Sequence, residues 1–503
     1  MPDQNRKNDR KMNADPWDRR LTATAAVFVV LWTLVHVFFA IPSGDEGWYL
    51  AAARGIGQGH LPYLHSFFTQ GPLAALVHAP IVAAVPTLIA ARLQAALAWL
   101  FALWLGAVWL RADRLSGGRW WWLALAGASS FMANMNTLAM TPAYECLAVI
   151  ASLLLWRRGR VGGALAVSSV AAAMRVSLAP WTAFLWVFTV VTALRGTRLR
   201  EAWRGAWAGL LPFALLVGPF FLLAPERTWA GLVGYHLGGG QSAVTGVAVL
   251  KFKAWFWLWW IVFAAPVLAA ALAAWRLQPQ RRDIHDALLL GGALLLSLVH
   301  TLPATPYPKY QVVPTMLLAL FAARHLPRVN VSRLTRIAIF ALLLVSQAGL
   351  HWFFQRHLEF DEPPPAVERR VGREIGRLAG SGDVFLFEPL LAVEGGFSLP
   401  PGLEMGPFSL TTRWDRTTAR HLGLLTAADV VEGLSAARWD VVAVHSGDLA
   451  SLDEGSRVAA GAALRDNYRL ARRYERVGQY RTPLAVFTRR AAQLGTTLTP
   501  PVE

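Results

Sequence analysis

Two adjacent carboxylates, Asp45 and Glu46, directly follow the first long hydrophobic run of the chain. Neighbouring acids repel each other and are poorly solvated beside apolar surface, so the pair requires a cation, a proton or a chemical task. A carboxylate in such a position can accept the proton of an attacking hydroxyl group. We therefore interpret Asp45 as a candidate general base and Glu46 as a second candidate catalytic residue.

The same segment also has a purely structural interpretation. Ser43 and Glu46 have the S-x-x-E spacing of a capping box, which predicts a helix running through Tyr49 and Ala53. Both interpretations can hold at once, with Glu46 capping the helix and Asp45 reacting.

Other polar side chains stand at the ends of later hydrophobic runs. These residues are Glu145, Arg175, His300, Lys309 and Tyr310. Under the topology given below they belong to one leaflet, so they can converge with Asp45 on a single cavity that opens outward. Cations there could absorb the charge that develops on a departing lipid phosphate, and we assign that role to Lys309 and Arg175.

Each of these residues has a simpler alternative. Lys309 and Arg175 could snorkel at the end of a span, and Arg175 could instead neutralise Glu145. His300 could be an ordinary polar residue at a span terminus. His60 and His65 lack the spacing of a metal site, so the sequence supports no metal or cofactor assignment.

Composition places the chain in a membrane. It has 503 residues, of which 55% are hydrophobic and only 16% are charged, too apolar for a soluble protein of this size. The formal charge of +17 comes from short basic clusters between hydrophobic runs, the positive-inside pattern. Membrane lipids are therefore expected partners, and nucleic acid is not. Cys146 is the single cysteine, so no intramolecular disulfide can form.

The hydrophobic runs predict a polytopic α-helical membrane protein with about eleven transmembrane helices. The predicted spans are near residues 21–41, 87–110, 120–136, 141–156, 161–176, 178–194, 206–224, 254–275, 287–302, 310–323 and 334–354. Arginine-rich loops alternate with loops that hold few cations, which places the tail 1–20 in the cytoplasm and the first loop, 42–86, outside. Within that loop, 73–85 is predicted to be an interfacial helix. An odd number of spans puts the C-terminus outside.

After residue 355 the composition changes to that of a small globular module. Residues 356–365 predict a linker, 366–490 an external α/β domain and 491–503 a loose tail. Within the module, hydrophobic patterning predicts helices at 367–378 and 426–437 and strands at 384–387, 439–444 and 484–488.

Several motifs together resemble a known superfamily. They are Asp45-Glu46-x-x-Tyr49, Gly59-x-x-Pro62-Tyr63, Gly71-Pro72-Leu73 and Lys309-Tyr310-x-x-x-Pro314. In this order they resemble the GT-C superfamily, specifically the bacterial glycosyltransferase family 39 and aminoarabinose-transferase-like membrane enzymes, over residues 21–354.

The resemblance implies a GT-C-like fold, a polyprenyl-phosphate-linked sugar donor and an inverting transfer on the external face. It implies that Asp45 is the base and that Lys309 meets the donor phosphate. We assign Arg175 and Tyr310 to donor-phosphate binding as well. We assign Tyr49, Tyr63, Glu145 and His300 to substrate binding. Relatives often carry an aspartate where this chain has Ala143, so the role of Glu145 stays open. Residues 399–407 resemble C-terminal domains of some bacterial members, which suggests a cap or acceptor-docking role.

The sequence thus predicts an inner-membrane hexosyl- or pentosyltransferase whose C-terminal domain is periplasmic or extracellular. The acceptor would be a lipid, a glycan or a protein hydroxyl. The main alternative is a transporter or flippase of lipid-linked sugars, for which inverted repeats would be expected. A second alternative is a ligand-binding outer domain that the spans merely anchor.

Overall fold

The computed structural model describes residues 16–113, 117–194, 199–237, 247–278, 283–303, 305–329, 332–355, 362–445 and 447–490. Most of the predicted cytoplasmic tail, residues 356–361 of the predicted linker and the predicted tail 491–503 lie outside the described residues.

Apolar helices occupy the first two thirds of the chain, which is a multi-pass membrane protein. Within the described residues, five helical segments are long and apolar enough to cross a membrane, namely Pro16–Phe39, Leu88–Arg111, Val176–Leu194, Trp203–Leu223 and Val247–Leu277. Ser130–Thr137 and Pro142–Arg157 would form a sixth span, bent by 107°. Shorter apolar helices are Val161–Met174, Ile284–Val299 and Leu334–Gly349.

Every predicted span coincides with helical structure, but the count of eleven stays a prediction. The predicted span 120–136 is interrupted, because α-helix Gly118–Trp122 continues as a π-helix, Leu123–Gly127, and then ends. The Ser129 side chain accepts from Met132 N and starts a new helix. Further helices in this part are Ala179–Leu194, Leu199–Leu223, Pro225–Trp229, Ala230–Gly234 (π), Tyr235–Leu237, Pro308–Gln311 (3₁₀), Val312–His325, Leu326–Arg328 (3₁₀) and Arg333–Gln355.

The first loop is mostly ordered around one helix. Gly44–Gly57, hereafter the first-loop helix, begins directly after the first span. The predicted interfacial helix 73–85 is instead two short helices, Leu73–Leu76 and Ala79–Ala84. Pro80 lies in the first turn of the second, where its missing N–H is tolerated, so the chain restarts a helix there.

The C-terminal module is a small α/β unit, as predicted. Its sheet contains β1 (Val384–Leu386), β2 (Val441–His445), β3 (Tyr468–Val477) and β4 (Thr482–Arg489), in the order β1-β2-β4-β3. β1 and β2 are parallel, and β4 is antiparallel to both β2 and β3. Its helices are Pro364–Ala379, Pro389–Gly395, Gly406–Ser409 (3₁₀), Arg416–Leu422, Ala427–Ser435, Leu449–Ser451 (3₁₀) and Glu454–Asn467. The fold class is confirmed, whereas the side of the membrane on which the module lies stays a prediction.

An ionic cluster closes one end of the helix bundle. Arg324 lies 2.7 Å from Asp286 and 3.1 Å from Asp113, and Arg157 reaches Asp113 at 2.6 Å. Asp113 follows the helix Leu88–Arg111, which is ~36 Å long. The first turn of that helix adjoins the first-loop helix. The cluster therefore lies at the end of the bundle away from Asp45.

Candidate active site

The first-loop helix holds Asp45 in its first turn. The capping box is present, because Glu46 Oε2 accepts from Ser43 N at 2.9 Å and Ser43 Oγ accepts from Asp45 N at 3.4 Å. The positive end of the helix dipole stabilises a carboxylate at this position. Asp45 Oδ2 pairs directly with Lys309 Nζ, although 264 residues separate the two. The predicted meeting of the acidic first loop with the basic run before the tenth predicted span is therefore present in the structure.

Glu46 points elsewhere, into a fully buried ion pair. Its Oε1 accepts from Arg92 Nε at 2.8 Å and from Ala139 N at 2.7 Å, and its Oε2 accepts from Arg92 Nη2 at 2.7 Å. Arg92 also donates to the backbone oxygens of Val37 and Ala40 at the end of the first span. These contacts fill the acceptor capacity of Glu46 and fit a positioning role, which fixes the helix that carries Asp45.

Arg175 lies beside Tyr310, the residue that follows Lys309. Its Nη1 is 3.3 Å from Glu145 Oε1, its Nε donates to Gln70 Oε1 at 3.3 Å, and its guanidinium lies 5.0 Å from the centre of the Tyr310 ring. Arg175 thus pairs with Glu145, as one alternative proposed, and it also lines a cavity.

The Gly71 backbone brings the first loop to Arg175. Gly71 N donates to Met174 O at 2.9 Å, and a Cβ on Gly71 would lie 2.0 Å from Ala173 O. Only glycine fits this close approach of two backbones. The Gly71-Pro72-Leu73 motif therefore docks the first loop on the end of helix Val161–Met174 and places Gln70 beside Arg175.

Two cavities meet at the Asp45–Lys309 pair. A smaller cavity of about 310 Å³ and a larger one of about 920 Å³ share the lining residues Asp45, Tyr307, Lys309 and Phe408. Burial raises the pKa of Tyr307 to about 12, so its phenol is a hydrogen-bond donor at neutral pH. Because Asp45 and Lys309 line both cavities, the ion pair can contact a molecule bound in either cavity.

The predicted site residues divide into two groups. Those that line the smaller cavity are Asp45, Arg175, His300, Lys309 and Tyr310. Those that lie behind its wall are Glu46, Tyr49, Tyr63 and Glu145, none of which lines either cavity in the described part of the chain. The second group supports the first, because the Tyr63 hydroxyl donates to Gln70 O and Tyr49 stacks on Trp48 with ring centres 3.9 Å apart.

Sequence reasoning missed several residues of the site. Arg92 is the only charged residue within the apolar run 88–110, and an isolated cation there indicates a buried partner. Glu388 and His445 line the larger cavity from the C-terminal module. Both lie at or just after the carboxyl ends of predicted strands, which is the signal that could have found them.

No family model and no curated protein matches the sequence. ArnT from Cupriavidus metallidurans bound to undecaprenyl phosphate has a similar crystal structure, with a TM-score of 0.64 and 14% identity over 95% of this chain and 98% of that chain. Its apo state gives a TM-score of 0.63 and 13% identity, over 94% of this chain and 97% of that chain.

The arabinofuranosyltransferase AftD from Mycobacteria, solved by cryo-EM, has a TM-score of 0.50 and 16% identity over 94% of this chain but 40% of that chain. The ArnT match extends over nearly the whole length of both chains. The resemblance indicated by the first-loop and Lys309 motifs is thereby confirmed for the fold, and the chain has an ArnT-like fold.

Proposed function

We propose that this protein is a glycosyltransferase that moves a sugar from a polyprenyl-phosphate donor to a hydroxyl acceptor, with Asp45 as the base. The observation that carries the proposal is the Asp45–Lys309 ion pair, which stands where two cavities meet. A transferase that joins two substrates needs both to reach one reacting pair of groups.

The smaller cavity suits the phosphate of the donor. Arg175 and Lys309 line it and supply positive charge, and Tyr307 and His300 add hydrogen-bonding groups. Cations fixed where a phosphate departs stabilise the charge that develops in the transition state. The ArnT structure with undecaprenyl phosphate supports a polyprenyl-phosphate donor for a chain of this fold.

The reaction follows from these positions. The acceptor oxygen forms a bond to the anomeric carbon while the bond from that carbon to the phosphate oxygen breaks, and the phosphate leaves with the electron pair. Asp45 takes the proton of the attacking hydroxyl. Lys309 has three N–H donors, so it can hold the phosphate without releasing Asp45. Direct displacement of this kind inverts the anomeric carbon.

We place this chemistry on the external side of the inner membrane. The arginine-rich loops at the opposite end of the bundle support a cytoplasmic location for that end. The polar groups of the site gather at one end of the bundle, whereas a transporter binds its substrate near the midplane.

Transfer from radiolabelled polyprenyl-phosphate sugars into a membrane fraction tests the proposal. Wild-type protein should incorporate label, and Asp45→Asn should reduce the rate by ~10²- to 10⁴-fold. Asp466→Asn, a change at an exposed aspartate outside both cavities, serves as the matched control and should leave the rate unchanged. Equal incorporation of label by Asp45→Asn and wild type would remove Asp45 from the mechanism. If wild-type protein incorporates label from none of the donors, the proposed transferase activity is refuted.

A further inference from the structure

The first helix of the C-terminal module has one apolar and one basic face. This helix, Pro364–Ala379, hereafter the basic helix, buries its apolar face against the sheet. Its other face carries Arg370, Arg373 and Arg377, all three exposed. Arg370 lies 3.3 Å from Glu362 at the helix start. Because residues three and four apart lie on one side of a helix, the three arginines form a single stripe.

Two arginines of this stripe carry charge that the protein does not neutralise. Arg373 and Arg377 form no ion pair with any residue that the structure describes. The neighbouring acid, Glu374, is engaged with Arg472 of β3 at 3.2 Å. Like charges four residues apart destabilise an exposed helix by a few tenths of a kcal/mol. The stripe therefore favours an anionic partner, which would remove this repulsion.

Glu394 ties the basic helix to the start of a membrane span. Its Oε1 accepts from the backbone N–H of Leu88, the first residue of the span Leu88–Arg111, and its Oε2 accepts from Arg369 Nε at 2.9 Å. The basic helix also contacts the first span, Pro16–Phe39. Since a span begins at the surface of the bilayer, Arg369 lies close to that surface.

The stripe follows Arg369 along the same helix. An α-helix rises 1.5 Å per residue, so Arg370, Arg373 and Arg377 lie about 1.5, 6 and 12 Å from Arg369 along the axis. The Debye length at physiological ionic strength is about 8 Å. The first two arginines are therefore within this distance of the bilayer surface whichever way the helix is inclined, and the third is near its limit.

The chemistry of the stripe matches lipid phosphate. A guanidinium binds phosphate oxygens with two parallel N–H donors, and arginines near a bilayer are attracted by anionic head groups. None of the three arginines lines either cavity in the described part of the chain. The stripe is thus separate from the Asp45–Lys309 site.

We propose that the arginine stripe of the basic helix binds the phosphate groups of anionic phospholipids at the bilayer surface and so holds the C-terminal module against the membrane. This inference depends neither on the proposed transferase reaction nor on the side of the membrane, because it uses only the distance of the stripe from the start of the spans.

Photolabelling of the full chain in phosphatidylcholine nanodiscs tests the inference. The probe is a small, titrated fraction of phosphatidylglycerol whose head group carries a diazirine, and labelling of peptides that cover 366–378 gives its apparent affinity. Arg373→Gln combined with Arg377→Gln should weaken this affinity at least about tenfold, since each arginine near an anionic surface contributes about fivefold. Replacing the same two residues by lysine keeps the charge and should leave the affinity within about threefold of wild type.

The matched control removes two exposed arginines from another helix of the module. Arg457→Gln combined with Arg465→Gln changes helix Glu454–Asn467, which packs on the opposite face of the sheet, and should leave labelling of 366–378 unchanged. Phosphatidylcholine that carries the same diazirine measures proximity to the bilayer without the anionic charge. It should label 366–378 at least about fivefold less than phosphatidylglycerol does.

Four results would overturn the inference. Equal labelling of wild type and the glutamine variant would show that the arginines do not bind the lipid, and equal labelling by the two lipids would show that negative charge is not recognised. Displacement of the phosphatidylglycerol probe by millimolar inorganic phosphate at constant ionic strength would assign the stripe to free phosphate. Absence of label from 366–378 with both lipids would place the stripe away from the bilayer and assign it to a soluble acidic partner.

Discussion

Asp45 and Glu46 are adjacent in the chain, yet their carboxylates lie in different surroundings. Asp45 faces two cavities and pairs with Lys309, whereas Glu46 is locked to Arg92 behind the wall. A helix turns by 100° per residue, so neighbours in its first turn face different directions. The Asp45 carboxylate is thereby open to both cavities, while the Glu46 carboxylate holds the helix that carries Asp45.

Removing either partner of the Glu46–Arg92 pair should destabilise the protein. Both side chains are fully buried, so Arg92→Met leaves an unpaired buried carboxylate and should cost about 3–5 kcal/mol. Thermal unfolding in nanodiscs should show a smaller combined effect for Glu46→Gln with Arg92→Met than the sum of the single changes. A Glu46→Gln protein of unchanged melting temperature but without transferase activity would put Glu46 into the chemistry.

The sequence located Asp45 and Lys309 better than the residues that hold them in place. Asp45 and Lys309 could be predicted because topology and motif both place them at one end of the bundle. Arg92 could not be assigned to Glu46, since hydropathy counts spans but does not say which neighbour each helix face contacts. Tyr49 and Tyr63 were expected to touch substrate, and the structure places both behind the wall.

The first-loop helix is held between the membrane region and the C-terminal module. Gly44 N donates to Gln479 Oε1 at 2.8 Å, and Arg54 donates to the backbone oxygens of Ala392, Gly396 and Phe397. The contact is tightest at Gly47, where a Cβ would lie 2.5 Å from Leu390 N.

Gly47→Ala should therefore displace the module from this helix and move Asp45. We expect transfer to fall at least about tenfold, because small misplacements of a reacting group are costly. Gly57→Ala on the same helix is the matched control, since its Cβ would meet only Ala83 at an ordinary 3.8 Å. The measurement is the transfer rate of both variants, and equal rates would show that the contact with the module does not position Asp45.

A buried carboxyl makes the stability of the module depend on pH. Burial raises the pKa of Glu368 to about 7 from its ordinary 4.5, although Gly478 N donates to it at 2.9 Å. The folded state then holds a proton that the unfolded state has lost, so stability falls as pH rises from about 4.5 to about 7, by about 3 kcal/mol.

Glu368→Gln should weaken this dependence but not abolish it, because burial also raises the pKa values of the Glu388 and Glu404 carboxyls. Apparent melting temperatures between pH 5 and pH 8 provide the measurement, with Glu475→Gln, a change at an exposed glutamate on β3, as the control. A wild-type protein that is more stable at pH 8 than at pH 5 would contradict the assignment.

The sequence predicted the strands whose residues are all buried. The strands β1 and β2 are buried throughout and were visible as short apolar runs. β3 was missed because most of its residues are exposed and its sequence, Tyr-Arg-Leu-Ala-Arg-Arg-Tyr-Glu-Arg-Val, is dominated by arginine. The break within 120–136 was also missed, since hydropathy does not respond to a side-chain cap such as Ser129.

At the scale of the whole molecule, charge is arranged differently at the two ends of the bundle. The Asp45 end has an ion pair between two cavities, and the other end has the Arg324 cluster with Asp113 and Asp286. The positive-inside count treats these arginines as free charges, although several are paired. The predicted orientation therefore needs a direct test.

Cysteine labelling can supply that test, because the single native cysteine, Cys146, is buried. Val458→Cys introduces a thiol at an exposed site of the C-terminal module, and Ala112→Cys introduces one at the opposite end of helix Leu88–Arg111. In spheroplasts, a membrane-impermeant maleimide should label the first directly and the second only after permeabilisation. The reversed pattern would place the module and Asp45 in the cytoplasm.

The central claim is that Asp45 accepts the proton and Lys309 binds the phosphate within one site. Measuring polyprenyl-phosphate binding and sugar transfer side by side, for Asp45→Asn and Lys309→Met, tests it most directly. Lys251→Met, at an exposed lysine outside both cavities, is the control and should retain both properties. We predict that Asp45→Asn binds the lipid phosphate but does not transfer, while Lys309→Met loses binding at least about tenfold, as expected for a charge-assisted hydrogen bond to phosphate. Full binding by Lys309→Met, or normal transfer by Asp45→Asn, would contradict the account.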